Sequence, residues 1–157
     1  MRRRYPSVPL VGVGAVVLLD NKILLVRRGN PPGKGLWSIP GGLVKVNETL
    51  EEAVIRELYE ETKIKGRVIG PIDIFQVIIK DENDKVKYHY ILIDFLMKPE
   101  KENVNPIPST DALSAEFFDI ETALRLNLTK PTRMLLEQIK KNEMKIVPMF
   151  STIVRDV

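Results

Sequence analysis

The stretch GGLVKVNETLEEAVIRELYEETKI, residues 41–64, places six glutamates and one arginine between Glu48 and Glu61. It reads as a helix that begins at Asn47 or Thr49 and runs to Thr62, since both are good N-caps whose short side chains accept from an orphan helical N–H. Successive helical residues turn by about 100°, so Leu50, Ala53, Val54 and Leu58 share one face. The i, i+4, i+7, i+11 line through Leu50 and Val54 continues to Glu57 and Glu61, and Glu60 flanks them. A purely structural helix would carry apolar residues there. Three carboxylates instead turn toward the protein body near the helix C-terminus, the negative end of its dipole, where anions are disfavoured. Burying unpaired charges costs roughly several kcal/mol each, so the pattern predicts a divalent cation among Glu57, Glu60 and Glu61. Glu51 and Glu52 read as solvated surface charge. Glu52 stands four residues before Arg56, an ion pair worth about 0.3–0.5 kcal/mol on a helix surface.

Composition narrows the ion. The chain has no cysteine and one histidine, His89, which excludes thiolate and multi-histidine metal sites. Only oxygen ligands remain, favouring Mg²⁺, Mn²⁺ or Ca²⁺. A length of 157 residues suits one domain with a sizeable core. The net charge of +3 is mild; it suits a polyanionic small substrate and argues against a nucleic-acid partner. Arg2-Arg3-Arg4 before an apolar run imitates a signal peptide. The run is too short to span a membrane and leads into a turn without a small-residue cleavage site. A cytoplasmic protein with no membrane partner is the expectation.

Around the helix, Val11–Leu19 and Lys22–Arg28 read as a hairpin joined at Asp20-Asn21. Residues 29–35 (GNPPGKG) are loop by composition. Trp37–Pro40 is extended, and Gly41-Gly42 gives the backbone access to positive φ. Val68–Lys80 and Val86–Met97 are two further strands across a polar turn. A polar loop, Pro99–Thr110, leads to a short strand, Ala115–Ile120. A helix starts at Glu121, and another, with Pro131 in its first turn, ends near Lys141. The tail from Met144 reads as an added strand or a packing arm. Strands interleaved with one central helix, then C-terminal helices, make a mixed α/β layer architecture.

The spacing Gly42, five residues, Glu48, seven residues, then Arg56-Glu57-Leu58-Tyr59-Glu60-Glu61 and Ile64 closely resembles the Nudix box. Upstream, Arg27-Arg28-x-x-Pro31-Pro32-x-x-Gly35-x-Trp37-x-x-Pro40-Gly41-Gly42 is also common in that family. The box itself occupies residues 42–64, and the likeness covers about residues 9–140. It implies a Nudix-type α/β/α sandwich with a mixed β-sheet as one domain over residues 1–157, with 143–157 a C-terminal tail. It implies an enzyme that cuts the pyrophosphate bond of a nucleoside diphosphate linked to another group, using Mg²⁺ or Mn²⁺, in the ADP-ribose pyrophosphatase or MutT-like branch. ADP-ribose is the leading substrate. A hydrolase that sanitises oxidised nucleoside triphosphates is the alternative in the same class, and a non-catalytic nucleotide-sensing domain the alternative in another. The resemblance assigns Glu57, Glu60, Glu61 and the Gly41 carbonyl to the metal, with Glu57 instead, or also, orienting or deprotonating the attacking water. Arg56 joins the catalytic group, and Glu48 and Gly42 support the loop–helix geometry.

Many relatives bring a further acid from a later strand or loop, and Glu116 is the candidate, weighed evenly against a strand-edge charge. Arg27 and Arg28 are the substrate-binding candidates; neighbours on a strand face opposite ways, so at most one binds phosphate or base, with Arg27 preferred by resemblance. Trp37 reads as core, His89 as strand decoration and the three N-terminal arginines as a solvated terminus. One family position departs: Lys63 stands where glycine is usual, so the helix either ends on a left-handed lysine, at up to ~1 kcal/mol, or runs on toward Gly66. A homodimer, common among relatives, is the expected assembly.

Overall fold

The computed structural model describes residues 2–156. β1 (Leu10–Leu19) is the axis of the sheet. It pairs in parallel with β6 (Val86–Pro99) over Leu10–Val17, and antiparallel with β2 (Lys22–Arg28) at its far end. Residues 12–17 are buried, which is why they read as a continuous apolar run rather than an alternation. Asp20 and Asn21 both adopt positive φ, 51° and 61°, the tight hairpin geometry whose twist matches that of the strands.

β5 (Gly66–Lys80) continues the sheet beyond β6, and β3 (Trp37–Ser38) extends it on the other side of β2. β7 (Ala112–Asp119) adds to β2, and β4 (Gly41–Leu43) adds to β1. The mixed sheet is covered on both faces. α1 (Leu50–Thr62) buries Ala53, Val54 and Leu58 against Val13, Ala15, Val17, Leu24, Phe95 and Met97. α2 (Ile120–Leu124) and α3 (Lys130–Lys140) bury Ala123, Leu135 and Leu136 against Val16, Ile23 and Leu25. Trp37 belongs to this second core, with its ring edge-on to Phe118 at 5.1 Å. The α/β/α arrangement is the one expected, and no helix among the described residues is long and apolar enough to cross a membrane.

Two local expectations are corrected, and one alternative is decided. Gly41 and Gly42 do not use positive φ; they form β4, which pairs Gly42 with Val13 and Gly41 with Gly14. Glu52 does not pair with Arg56. Its carboxylate takes the Thr49 N–H at 2.9 Å while Thr49 Oγ1 takes the Glu52 N–H at 3.1 Å, a reciprocal capping box. The tail over residues 144–156 forms no strand. It packs as an arm as far as Met149: the Val147 N–H donates to the Pro71 carbonyl at 2.9 Å and Ile146 lies over Gly70.

Candidate active site

α1 is held at both ends. At its C-terminus Lys63 takes the left-handed conformation, φ 61°, and donates to the Tyr59 carbonyl at 2.8 Å. Its ammonium lies 5.2 Å from the Tyr59 ring, an attraction that offsets part of the strain of a lysine there. The loop after β6 supplies donors to the helix carbonyls. Ile107 N–H reaches Thr62 O at 2.9 Å, Ser109 N–H reaches Glu61 O at 3.1 Å, and Ser109 Oγ–H reaches Glu60 O. The glutamates of the last turns therefore sit on a fixed backbone.

Arg56 gathers one side of the cluster. Its Nε and Nη2 grip both oxygens of Glu48 at 2.5 and 2.9 Å, a bidentate pair. Nη1 donates to Glu57 at 2.7 Å and Glu60 at 3.3 Å, and Nη2 also donates to the Leu43 carbonyl at 3.0 Å. Glu48 Oε2 in turn accepts from the Lys45 N–H at 2.9 Å. The bonds from Arg56 hold the Glu48 carboxyl well below its ordinary value, at about 2. Helix, β4 and the loop between them are thus tied through one guanidinium. Gly42 lies directly against the Glu57 carboxylate, on which any Cβ at that position would fall. That close approach makes glycine at Gly42 the residue that leaves the Glu57 carboxylate in place.

Glu61 lies on the other side. Burial pushes its carboxyl up to about 8, and the neighbouring charges of Glu57 and Asp111 add to the rise. The Gly41 backbone N–H and the Arg28 guanidinium oppose it. Glu61 at this value is the group whose proton a cation would replace. Among the described residues no three carboxylates already surround one point, since Arg56 draws an oxygen of Glu57 and of Glu60 to itself. The donor set is nevertheless all oxygen and net acidic, and Gly41, Glu57 and Glu61 meet at one place. These groups fit a hard divalent ion held by oxygen.

Two candidates are displaced by strand parity. Glu116 stands opposite Leu25 in the β2–β7 ladder, so both side chains share a face. Leu25 packs toward α2 and α3, whereas its neighbour Leu24 packs toward α1. Glu116 therefore points away from Glu57 and Glu61 and is no ligand in this geometry. Arg27 follows Leu25 on that same outer face, exposed, with its Nε 3.2 Å from the Gly35 carbonyl. Arg28 is the one on the Glu61 side, half-buried, its Nε bonded to the Pro32 carbonyl at 2.8 Å.

One residue escaped the sequence reading. Asp111 reaches the site because the Gly29 N–H bonds its carbonyl at 2.7 Å, setting it beside Arg28 and Glu61. It has no local sequence signal, because it arrives through a contact distant along the chain. The N-terminal arginines are exposed, as expected, on a segment that Tyr5 anchors through the Lys87 carbonyl at 2.8 Å and Asp81 at 2.9 Å. His89 Nε2 is buried without a partner on β6 and takes no part in the cluster.

Comparison with known proteins places this geometry. Residues 8–139 match the NUDIX domain family. The chain is 36% identical over 118 residues to an ADP-ribose pyrophosphatase of Methanocaldococcus jannaschii, covering 75% of this chain and 66% of that protein. It is 35% identical over 104 residues to the phosphatase NudJ of Escherichia coli, covering 66% of this chain and 63% of that one. These matches span just under two thirds of the relatives' own lengths. In structure it is similar to a MutT NUDIX hydrolase of Burkholderia pseudomallei, with a TM-score of 0.72 and 30% identity, covering 85% of this chain and 99% of that one. With a buried carboxylate helix seated on its glycine strand and a family match over residues 8–139, the chain belongs to the NUDIX hydrolase family.

Proposed function

We propose that the protein hydrolyses the pyrophosphate bond of a nucleoside diphosphate linked to another group, with ADP-ribose as the leading substrate and Mg²⁺ or Mn²⁺ as cofactor. The observation that carries this reading is the arrangement of the carboxylate helix: Arg56 binds Glu48, Glu57 and Glu60, Gly42 lies against the Glu57 carboxylate, and Glu61, its carboxyl pushed up to about 8 by burial, stands beside Arg28. The likeness to the archaeal ADP-ribose pyrophosphatase supports the choice of substrate. Glu57, Glu60, Glu61 and the Gly41 carbonyl would hold the metal, which supplies Lewis-acid polarisation and neutralises diphosphate charge.

The chain's own groups do the rest. Arg56 orients Glu57 and Glu60 through Nη1. Arg28 offers its guanidinium to a substrate phosphate on the Glu61 side. Glu57, fixed against Gly42, orients or deprotonates the attacking water, and positioning supplies much of the rate. The protein works in the cytoplasm on a small nucleotide derivative, as a single domain that assembles into a homodimer.

The test is a panel of ADP-ribose, dinucleoside polyphosphates, NADH and oxidised dGTP, assayed with Mg²⁺ and again with EDTA. ADP-ribose is expected to give the highest kcat/KM and EDTA to abolish it. Preference for oxidised dGTP would select the sanitising alternative. Absence of metal-dependent turnover on every substrate would sink the enzyme reading and leave the nucleotide-sensing one.

A further inference from the structure

The sheet face away from α1 holds a second acidic feature that the proposed reaction does not use. Asp73 of β5 and Asp94 of β6 stand directly opposite each other. A regular ladder would not align them. Continued from the Pro71–Phe95 pair without interruption, β5 would set Asp73 against Ile93; the register slips between Pro71 and Asp73, and Asp73 turns to Asp94. Ile93 and Phe95 pack toward α1, so Asp94 between them faces the other way.

Asp94 is 5% exposed, and both Asp73 oxygens are buried with no donor. β1 presents Gly14 to the pair: a Cβ there would strike Asp94 Oδ1 and come within 2.5 Å of Ile39 Cδ1. Gly14 is also the ladder partner of Gly41, and the Ala15 N–H bonds the Pro40 carbonyl at 2.7 Å. The carboxyl pair thus lies under the segment that carries Gly41.

Two facing carboxylates in a buried site cannot both ionise. Burial raises both carboxyls, Asp94 the further, with Asp73 adding to the rise. Among the described residues, neither carboxyl has a charged neighbour other than its partner. β1 offers glycine and the segment after β3 offers isoleucine, so among the described residues the donor that remains is a proton held between the two acids.

We propose that Asp73 and Asp94 share one proton, and that the joined pair is a positioning element fixing β1 and the Pro40–Gly41 segment beneath the site. The positioning half rests on the function proposed above; the shared proton does not.

The test uses the full chain and three variants. Asp94→Asn supplies the donor permanently, Asp94→Ala removes it, and Asp73→Asn repeats the first from the other strand if Asp94→Ala does not fold. Carboxyls raised in the folded state stabilise most below their unfolded value, near pH ~3.8. Above it, the pair multiplies the unfolding constant by about ten per pH unit until it releases its proton, in addition to the separate slope that Glu61 contributes. In urea titrations both Asn variants should lose the pair's slope. In infrared spectra of Glu61→Gln, a protonated-carboxyl C=O stretch should persist at neutral pH and vanish when Asp94→Asn is added. Asp94→Asn should keep kcat near wild type, while Asp94→Ala lowers it by on the order of tenfold. Equal pH slopes in wild type and Asp94→Asn, or no such stretch, would overturn the shared proton whether or not any nucleotide is cleaved. Equal losses of kcat in Asp94→Asn and Asp94→Ala would overturn the positioning role.

Discussion

Metal binding should release the proton of Glu61, and the size of the effect follows from its environment. In the metal-free protein burial and the charges of Glu57 and Asp111 hold that carboxyl at about 8. A cation needs the carboxylate, so below pH 8 apparent affinity falls by the factor 1 + 10^(8 − pH). That is about 33-fold at pH 6.5 and about fourfold at pH 7.5, an eightfold difference per unit that approaches tenfold lower down. At pH 6.5 stripping the proton costs about 2 kcal/mol. Close to 0.9 proton should leave per site filled at pH 7, on the order set by this value. Calorimetric titration with Mn²⁺ in two buffers of different ionisation enthalpy measures it. Glu61→Gln should bind more weakly and without the slope. The sign also runs through stability. A raised carboxyl stabilises fully below its ordinary 4.5, and that contribution is lost as pH climbs toward 8, so the metal-free protein should soften over this window and the loaded protein should not. Affinity flat from pH 6 to 8, or an unchanged slope in Glu61→Gln, would refute the reasoning.

Other consequences follow from individual contacts. Arg28→Ala should raise KM for nucleotide substrates on the order of tenfold or more, while Arg27→Ala, on the outer face, should leave steady-state kinetics near wild type. Arg56→Lys forfeits the bidentate grip on Glu48 and the Leu43 carbonyl; urea denaturation should show a loss of about 2 kcal/mol. Glu48 is depressed to about 2, so its contribution is present above its ordinary 4.5 and lost as pH falls through that window, and Arg56→Lys should flatten this acid limb. Gly42→Ala meets the flexible end of Glu57 rather than backbone. It should therefore cost at most about 1 kcal/mol in melting experiments while lowering turnover about 10- to 100-fold. For the homodimer, mass measurement of the full chain against one ending at Glu143 should show dimer and monomer, because Phe150, Ile153 and Val154 are exposed in the tail.

What the sequence made legible was whatever depends on local spacing. The helix end near Thr62 and the inward turn of Glu57 and Glu61 follow from helical geometry within 24 residues, while the choice of Thr49 over Asn47 as cap and of a left-handed Lys63 over a longer helix came only with the fold. β4 was hidden because two glycines and a leucine carry no strand signal; Gly41 and Gly42 are there for closeness to β1 and Glu57, not for positive φ. The two alternatives left open at Glu116, and the choice between Arg27 and Arg28, turned on one shared unknown. Choosing between adjacent strand residues needs the sheet's facing, and Leu24 and Leu25 are equally apolar, so the sequence does not say which of them looks toward α1. The Asp73–Asp94 pair was invisible because a register slip creates it, and a slip leaves no mark in alternation.

The glutamate cluster is best understood by the two cations that divide it. Arg56 takes Glu48, Glu57 and Glu60; Arg28 stands beside Glu61 and Asp111. Five carboxylates against two guanidiniums leave three negative charges if all ionise, and the proton on Glu61 brings this to two. The site is therefore repulsive to a diphosphate on its own. One divalent ion taken up as Glu61 ionises leaves a single negative charge, and a second would make the site positive. Arg56 is already committed by its bonds to three glutamates and the Leu43 carbonyl, so it cannot turn toward substrate without releasing them. Among the described residues Arg28 is bound only through Nε to a carbonyl, leaving its terminal nitrogens for a phosphate. The order that results is metal before substrate: nucleotide affinity should collapse in EDTA for wild type, and Arg28→Ala should weaken the residual metal-dependent binding further. Equal nucleotide affinity with and without metal, measured by calorimetry on wild type and on Glu61→Gln with a non-hydrolysable analogue, would contradict this division of charge.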